Sequence, residues 1–174
     1  MTEGKVKVSV VIPAYNEEKN IPVLVDELAE MVAKSEFDCE VILVDDGSTD
    51  QTYEVGREYS RKYPFLRTAR HQSNRGITDS LITGFGLARG DVYVFFPADL
   101  QYLPREIPKL IEKMREGYQV VTGWKQGKYE KRLVSSVYNY LSRKLFRVPV
   151  HDLNSIKAFA KQVVDEIPLR RDWT

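Results

Sequence analysis

Three short polar clusters in this chain each follow an apolar stretch rich in β-branched residues. They span residues 13–17, 45–48 and 97–101 and carry the sequences PAYNE, DDGS and PADLQ. Carboxylate and amide side chains of this kind accept hydrogen bonds and bind hard cations. Because ligands of open α/β sheets bind at the carboxyl ends of strands, we expect the three clusters to meet at one edge and form a nucleotide site.

Asp99 is the residue for which the sequence predicts the most specific chemistry. A carboxylate that directly follows a buried strand can hold Mg²⁺ or Mn²⁺, which prefer oxygen ligands in octahedral geometry. Gln101 can add a neutral oxygen to the same ion. Such an ion would neutralise the charge that grows on a leaving diphosphate. The alternative is that Asp99 only caps a loop or a helix.

Residues 125–147 form a basic segment, with seven Lys and Arg side chains against one acid. Within 131–146 apolar side chains recur every four residues, interleaved with aromatic ones, which predicts a long amphipathic helix. A basic amphipathic helix suits an anionic membrane surface and a lipid phosphate. The alternative is a solvated helix whose apolar stripe packs into the core.

The elements that must position these residues alternate along the chain. The alternation predicts an α/β fold with a mostly parallel sheet that is covered on both faces. Strands are predicted at 5–12, 39–44, 65–69, 91–96 and 118–122. Helices are predicted at 21–32, with Asn20 as N-cap, and at 50–62, 79–89, 104–116 and 131–146.

Composition excludes several classes of protein. Of the 174 residues, 26 are Lys or Arg and 25 are Asp or Glu, and the net charge of +1 gives no sign of a nucleic-acid partner. The single Cys39 excludes an internal disulfide and a multi-cysteine metal site, and we expect it to pack as a small apolar residue.

The size and the apolar stretches of the chain set its expected organisation and location. Its length predicts one domain over 1–174. No apolar stretch approaches the roughly 18 residues of a membrane span, and no signal-peptide core is present. We expect a cytoplasmic protein that the basic segment holds peripherally at the inner face of the membrane.

Three motifs in order resemble the family 2 glycosyltransferases of GT-A fold. They are VVIPAYNEE at 10–18, VDDGSTD at 44–50 and ADLQ at 98–101. The similarity reaches about residue 157 and is strongest to the polyprenyl-phosphate subgroup, which includes the dolichyl-phosphate mannose synthases. It implies an inverting glycosyltransferase that moves a sugar from a UDP- or GDP-linked donor to a dolichyl or undecaprenyl phosphate, with Mg²⁺ or Mn²⁺ as cofactor.

The resemblance also implies roles for individual residues. Asp46 would accept hydrogen bonds from the base or ribose, although DDGS is also an ordinary turn sequence. The implied contacts with the nucleotide sugar are those of Pro13, Tyr15, Glu17, Val44, Asp46, Ala98 and Asp99. The implied contacts with the acceptor phosphate are those of Lys125, Arg132, Ser135 and Ser136. The implied catalytic residues are Asp99 and Asp152, and the implied metal ligands are Asp99 and Gln101.

Two departures from the resembled family bear on activity. The family usually has Asp-x-Asp where this chain has Pro97-Ala98-Asp99, so Asp99 is the motif's only carboxylate. Members of the subgroup also continue past the position of Thr174, so the chain is either truncated or naturally short.

A phosphate acceptor is already an anion at neutral pH, so it needs positioning by Lys and Arg more than it needs a general base. Two alternatives stay open. One is transfer to a saccharide hydroxyl, with Asp152 as the base that removes its proton. The other is a non-catalytic, membrane-associated module that binds a nucleotide, which Pro97 would permit.

Overall fold

A computed structural model describes residues 5–123 and 155–166 of the chain. The predicted amphipathic helix at 131–146 lies outside the described residues, and so does Asp152. The same holds for the predicted acceptor-phosphate residues Lys125, Arg132, Ser135 and Ser136. The assignments of these residues therefore stay predictions.

Six strands of the described residues form one mixed sheet. The strands are β1 (Lys7–Ala14), β2 (Asp38–Asp45), β3 (Leu66–Arg70), β4 (Val92–Phe95), β5 (Val120–Thr122) and β6 (Lys157–Ala160). Their order across the sheet is β3-β2-β1-β4-β6-β5. The first four are parallel to one another, whereas β6 runs antiparallel to β4 and to β5. The predicted, mostly parallel α/β sheet is confirmed.

The described residues form five helices, of which the first four lie between successive strands and the last follows β6. They are α1 (Asn20–Lys34), α2 (Thr52–Lys62), α3 (Ile77–Leu87), α4 (Ile107–Arg115) and α5 (Lys161–Glu166). A 3-10 turn at Pro104–Glu106 leads into α4. Within residues 5–123 and 155–166, no helix has both the length and the apolar character that crossing a bilayer requires.

The core lies on both faces of the sheet, as the alternation of side chains along β1 shows. Val8, Val10 and Ile12 point to the face that α1 and α4 cover. Val11 points the other way and packs with Phe85 of α3. All five side chains are buried, and each stabilises the fold by roughly 1.5–3 kcal/mol. This packing fixes the position of the loops at the carboxyl ends of the strands.

Two predicted helix ends differ from the observed ones for physical reasons. Asn20 is the first residue of α1 rather than its N-cap, and its side-chain amide donates to Glu17 Oε2 at 2.6 Å. Helix α3 ends at Leu87, so Gly90 does not close it. The Gly90 N–H donates instead to Ser9 Oγ at 2.9 Å, and a Cβ at this position would lie 2.8 Å from the carbonyl oxygen of Lys7. Close approach to β1, not helix capping, explains this glycine.

Cys39 packs as the sequence predicts. It lies in β2, is half-buried and contacts the core cluster on the α1 face of the sheet. Burial, helped by the charge of Glu40, raises the pKa of the Cys39 thiol to about 12. The reactive thiolate is therefore scarce at neutral pH, which argues against a nucleophilic role.

Gly84 and Gly86 of α3 provide a matched test of this packing. A Cβ on Gly84 would overlap Val11 Cγ1, whereas a Cβ on Gly86 would meet nothing within 4 Å. Val11 is buried and stiff, so we expect Gly84→Ala to lower the free energy of unfolding by about 1–3 kcal/mol. Gly86→Ala should raise it by about 0.4–1 kcal/mol, because it restricts the unfolded chain. Urea denaturation measures both, and an equally stable Gly84→Ala variant would contradict the close contact of α3 with β1.

Candidate functional site

The loops after β1 and β2 are joined by hydrogen bonds. The Asn16 N–H donates to Ser48 Oγ at 2.9 Å, and the Glu17 N–H donates to Thr52 Oγ1 at 2.7 Å. In the opposite direction, the Thr49 N–H donates to Asn16 Oδ1 at 2.9 Å. The register of the parallel strands explains the meeting, because Ala14 at the end of β1 pairs with the last residue of β2. The structure thus brings the first two polar clusters together.

The third cluster begins at Pro97, two residues after the end of β4, and lies beside the first because β4 pairs in parallel with β1. Asp99 is exposed, and its carboxylate accepts the N–H of Gln101 at 3.1 Å and the Gln101 side-chain amide at 2.7 Å. Burial raises the pKa of Glu17 above its ordinary value, and the negative charges of Asp99 and Asp50 raise it further. The side chain of Asn20 opposes this rise by donating to Glu17. Carboxylates from all three loops therefore act on one another at this edge.

Two residues at the edge hold left-handed backbone conformations. Asn16 and Leu100 both have φ of 58°. Asn tolerates this region, but for a leucine it costs roughly 1–2 kcal/mol. Leu100 is partly buried against the core, which offsets that cost and fixes the loop between Asp99 and Gln101.

The two carboxylates of the DDGS turn are buried, and both take part in hydrogen bonds or ion pairs. Asp45 accepts the Ser48 N–H at 3.2 Å, and its Oδ2 lies 3.1 Å from Arg70 Nε in an ion pair without good hydrogen-bond geometry. Asp46 Oδ1 lies 2.7 Å from Nδ1 of His71. Its two oxygens also accept the N–H groups of Arg75, at 3.0 Å, and Gly76, at 2.8 Å. The turn is thus the anchor of the segment that follows β3.

Gly47 lets this segment, residues 71–76, lie directly over the turn. Its φ is 69°, and a Cβ there would overlap the backbone of Ser73. Only glycine meets both requirements at low cost. The DDGS sequence is therefore a turn, as one interpretation predicts, and it also organises the edge where we expect a ligand.

The sequence and the structure together identify the family. The model of a family described as Glycosyl transferase family 2 matches residues 9–162. The chain belongs to this family. The matched range includes all three polar clusters, and the resemblance inferred from their motifs is confirmed.

Curated relatives of this glycosyltransferase family carry names that refer to lipid phosphates. The dolichol-phosphate mannosyltransferase of Pyrococcus furiosus is 40% identical over 117 residues, which cover 67% of this chain and 32% of that protein. The dodecaprenyl-phosphate galacturonate synthase of Rhizobium johnstonii is 32% identical over 170 residues, which cover 94% of this chain and 50% of that protein. The chain thus spans half the length or less of these two relatives.

A solved structure with the same fold is the glucosyl-3-phosphoglycerate synthase of Mycobacterium tuberculosis, in complex with Mn²⁺, UDP and glucosyl-3-phosphoglycerate. It superimposes with a TM-score of 0.76 at 24% identity and covers 94% of this chain and 60% of that one. At this identity the likeness shows the fold, and the predicted GT-A fold is confirmed.

The donor residues that the family resemblance implies differ in how far they are exposed. Tyr15 is 43% exposed and Pro13 is half-buried, so both can contact a ligand. Val44 and Ala98 are buried, at 0% and 3% exposed. They support the loops from below, and their contacts with a donor stay predictions. Of the same set, Tyr15 and Asp99 are exposed and Glu17 is half-buried. Asp46 is 4% exposed and both its oxygens already have donors, so its predicted contact with a base or ribose stays a prediction.

A divalent ion fits this edge only as a partner of a phosphate ligand. The described ranges contain no group of three or more His, Cys, Asp or Glu side chains that could hold a metal. Asp99 and Glu17 do offer two mutually repelling carboxylates. Mg²⁺ is commonly held by one or two carboxylates together with substrate phosphates and water. For Gln101 to be a ligand, its amide would have to turn, because the NH₂ group faces Asp99.

Sequence reasoning missed the segment after β3. His71 stands alone in the sequence, and nothing near it indicates a partner 25 residues earlier. Arg75 is also new, with Nε 2.8 Å from Asp79 Oδ2 and its side chain 45% exposed. The glycine that precedes α3, Gly76, was a signal for a tight turn here, since its φ is 88°.

Glu17→Gln tests the electrostatic description of the edge. The pKa of Glu17 is raised in the fold, so its contribution to stability is complete below its ordinary value of 4.5 and is lost as the pH rises through the raised pKa. Glutamine keeps an acceptor for Asn20 but carries no charge. We expect the variant to have the higher thermal midpoint at pH 7, and the difference should disappear near pH 4.

Thermal midpoints measured from pH 4 to pH 8 test this expectation. Glu112→Gln, at an exposed position of α4, controls for the simple loss of one negative charge. A stability difference that is the same at both ends of the range would argue against a Glu17 pKa raised by burial and by the neighbouring carboxylates.

Proposed function

We propose that the protein is an inverting glycosyltransferase that moves a sugar from a UDP- or GDP-linked donor to a polyprenyl phosphate, dolichyl or undecaprenyl. The observation that carries the proposal is the convergence of three family motifs at one sheet edge, with Glu17 and Asp99 close enough to raise the pKa of the former. The names of the curated relatives, which combine a lipid phosphate with a sugar, support the acceptor class.

The donor would bind across the loops after β1, β2 and β4. Tyr15 and Pro13 would lie against the nucleoside, with Asp46 holding the turn beneath it. Asp99 would face the diphosphate, and Gln101 would stand beside it. The family assignment and the exposure of Tyr15 support this arrangement. The contacts of Val44 and Ala98 belong to the same proposal.

Mg²⁺ or Mn²⁺ would be held by Asp99, and by Gln101 after its amide turns, together with the donor's diphosphate. Bound there, the ion would supply positive charge against the leaving group. Glu17 follows β1 and Asp99 follows the neighbouring β4, and two carboxylates on adjacent loops support a cation there. The Mn²⁺ in the glucosyl-3-phosphoglycerate synthase complex supports it independently.

In the proposed reaction, an oxygen of the acceptor phosphate attacks the anomeric carbon of the sugar. The bond from that carbon to the diphosphate oxygen breaks, and the nucleoside diphosphate leaves with the electron pair. The attacking oxygen is already an anion, so no side chain has to remove a proton. Positioning of the acceptor would fall to Lys125, Arg132, Ser135 and Ser136, with Asp152 near the sugar.

The basic segment 125–147 supports a location at a membrane surface, because each Lys or Arg near an anionic bilayer contributes about 1 kcal/mol. We place the protein at the cytoplasmic face. The near-neutral overall charge supports the proposal that nucleic acid is not a partner.

Release of nucleoside diphosphate tests the function. The protein is incubated with several UDP- and GDP-sugars, with and without a short polyprenyl phosphate. We expect release with one donor and only when the lipid phosphate is present. Release that depends on a saccharide instead would favour the hydroxyl-acceptor alternative. Nucleotide binding without any release would favour the non-catalytic module.

Asp99→Asn tests the proposed metal position. It keeps the shape of the side chain but removes the only carboxylate of the PADLQ motif. We expect nucleoside diphosphate to bind the wild type more tightly with Mn²⁺ than with a chelator, and this stimulation should be lost in the variant. Isothermal titration calorimetry measures both. Asp91→Asn is the matched control, since Asp91 is an exposed carboxylate at the opposite end of β4.

Pro97→Asp restores the motif's missing carboxylate and should tighten metal-dependent binding, because a second anionic oxygen strengthens a hard-cation site. The thermal midpoint is followed in parallel, since loss of proline can loosen the loop. Metal stimulation that survives undiminished in Asp99→Asn would mean that the ion binds elsewhere.

A further inference from the structure

His71 joins three parts of the fold at the candidate site. It directly follows β3, is 7% exposed, and continues the parallel pairing through its N–H, which donates to the carbonyl of Asp45 at 2.8 Å. Its Nδ1 lies 2.7 Å from Asp46 Oδ1, and its Nε2 lies 2.9 Å from Thr83 Oγ1 on α3. One imidazole ring therefore links the end of β2, the segment 71–76 and the helix that follows.

The contacts of Asp46 fix the direction of these hydrogen bonds. An ionised carboxylate only accepts, so Nδ1 of His71 must donate to Asp46. In the neutral ring Nε2 is then an acceptor and takes the hydroxyl hydrogen of Thr83. The carboxylate of Asp46 receives two further donors, the N–H groups of Arg75 and Gly76. The histidine and the segment it introduces thus share one buried anchor.

The part of the segment that follows His71 depends on this anchor because its side chains are not buried. Residues 72–75 are all exposed, so little apolar burial holds them in place. They nevertheless carry Arg75 and lead to the first turn of α3, beside the edge where the donor is proposed to bind. Any rotation of the Asp46 carboxylate would move the N–H groups of Arg75 and Gly76 with it.

We propose that His71 is a positioning residue of the donor site. It holds the carboxylate of Asp46 in the orientation that receives Arg75 and Gly76, and through Thr83 it ties α3 to the same point. The segment 71–76 is thereby set before the nucleoside diphosphate arrives, which lowers the cost of ordering it on binding. This proposal rests on the proposed function, since it needs a nucleotide at this edge.

Two isosteric substitutions separate the two ends of the ring. In His71→Asn the side-chain amide nitrogen takes the place of Nδ1 and can still donate to Asp46. In His71→Gln the side-chain amide reaches the place of Nε2, where its oxygen can accept the Thr83 hydroxyl hydrogen, and the contact with Asp46 is lost. Thr83→Val removes only the hydroxyl. A role in filling space alone would not distinguish Asn from Gln in this way.

The experiment measures the Kd of UDP and of GDP by calorimetry in Mg²⁺, with the thermal midpoint of each variant. We expect His71→Gln and His71→Ala to bind the preferred nucleotide about tenfold more weakly, because the buried Asp46 loses a donor. His71→Asn should recover most of that loss and stay within about threefold of the wild type. Ile111→Val, a modest core change on the opposite face of the sheet, should lower the midpoint without changing the Kd.

Each other outcome overturns the proposal. A folded His71→Gln variant with the wild-type Kd would show that the ring does not position the site. Equal losses in His71→Asn and His71→Gln, or a Kd that follows the midpoint through Ile111→Val as well, would leave only a structural role. If the wild type binds neither nucleotide, the proposed donor site itself fails, and that result needs no variant to be recognised.

Discussion

The buried carboxylates at the end of β2 are the constraint on which the rest of the site depends. An ionised carboxylate without partners costs several kcal/mol in a protein interior, so each one must recruit donors. Asp45 recruits the Ser48 N–H and the Arg70 side chain. Asp46 recruits the segment after β3, through His71 and two backbone N–H groups. The loops meet at this turn because they supply the donors that the buried carboxylates need.

Among the carboxylates closer to solvent, by contrast, negative charges lie near one another. Glu17 is held near Asp99 and Asp50, and its pKa is raised first by burial and then by the negative charges of these two carboxylates. A fold selected for stability alone would separate these groups. Charged side chains at a binding edge often lower stability in this way, because ligand binding and stability place different demands on the same residues.

The meeting of the polar clusters at one edge could be predicted from the sequence, because strand periodicity and the carboxyl-end rule depend on local pattern. The strands that carry residues 13–17, 45–48 and 97–101 all formed, and the clusters met. Strand β6 was not predicted, since its four residues, KAFA, have no clear alternation of their own and are defined by pairing with β4. The hydrogen bond between His71 and Asp46 could not be predicted from the sequence either. It depends on how the segment after β3 folds back over Gly47, which no local signal specifies.

The pairing of β5 with β6 determines where the chain can change in length without disturbing the sheet. The Gly123 N–H, directly after β5, donates to the carbonyl of Ile156, directly before β6, at 2.9 Å. The residue that follows β5 and the residue that precedes β6 are therefore held next to each other, and their separation is set by the pairing of the two strands. A change in the number of residues between these two points leaves the register of β5 with β6 unchanged, whereas an insertion within either strand would turn its side chains to the opposite face of the sheet.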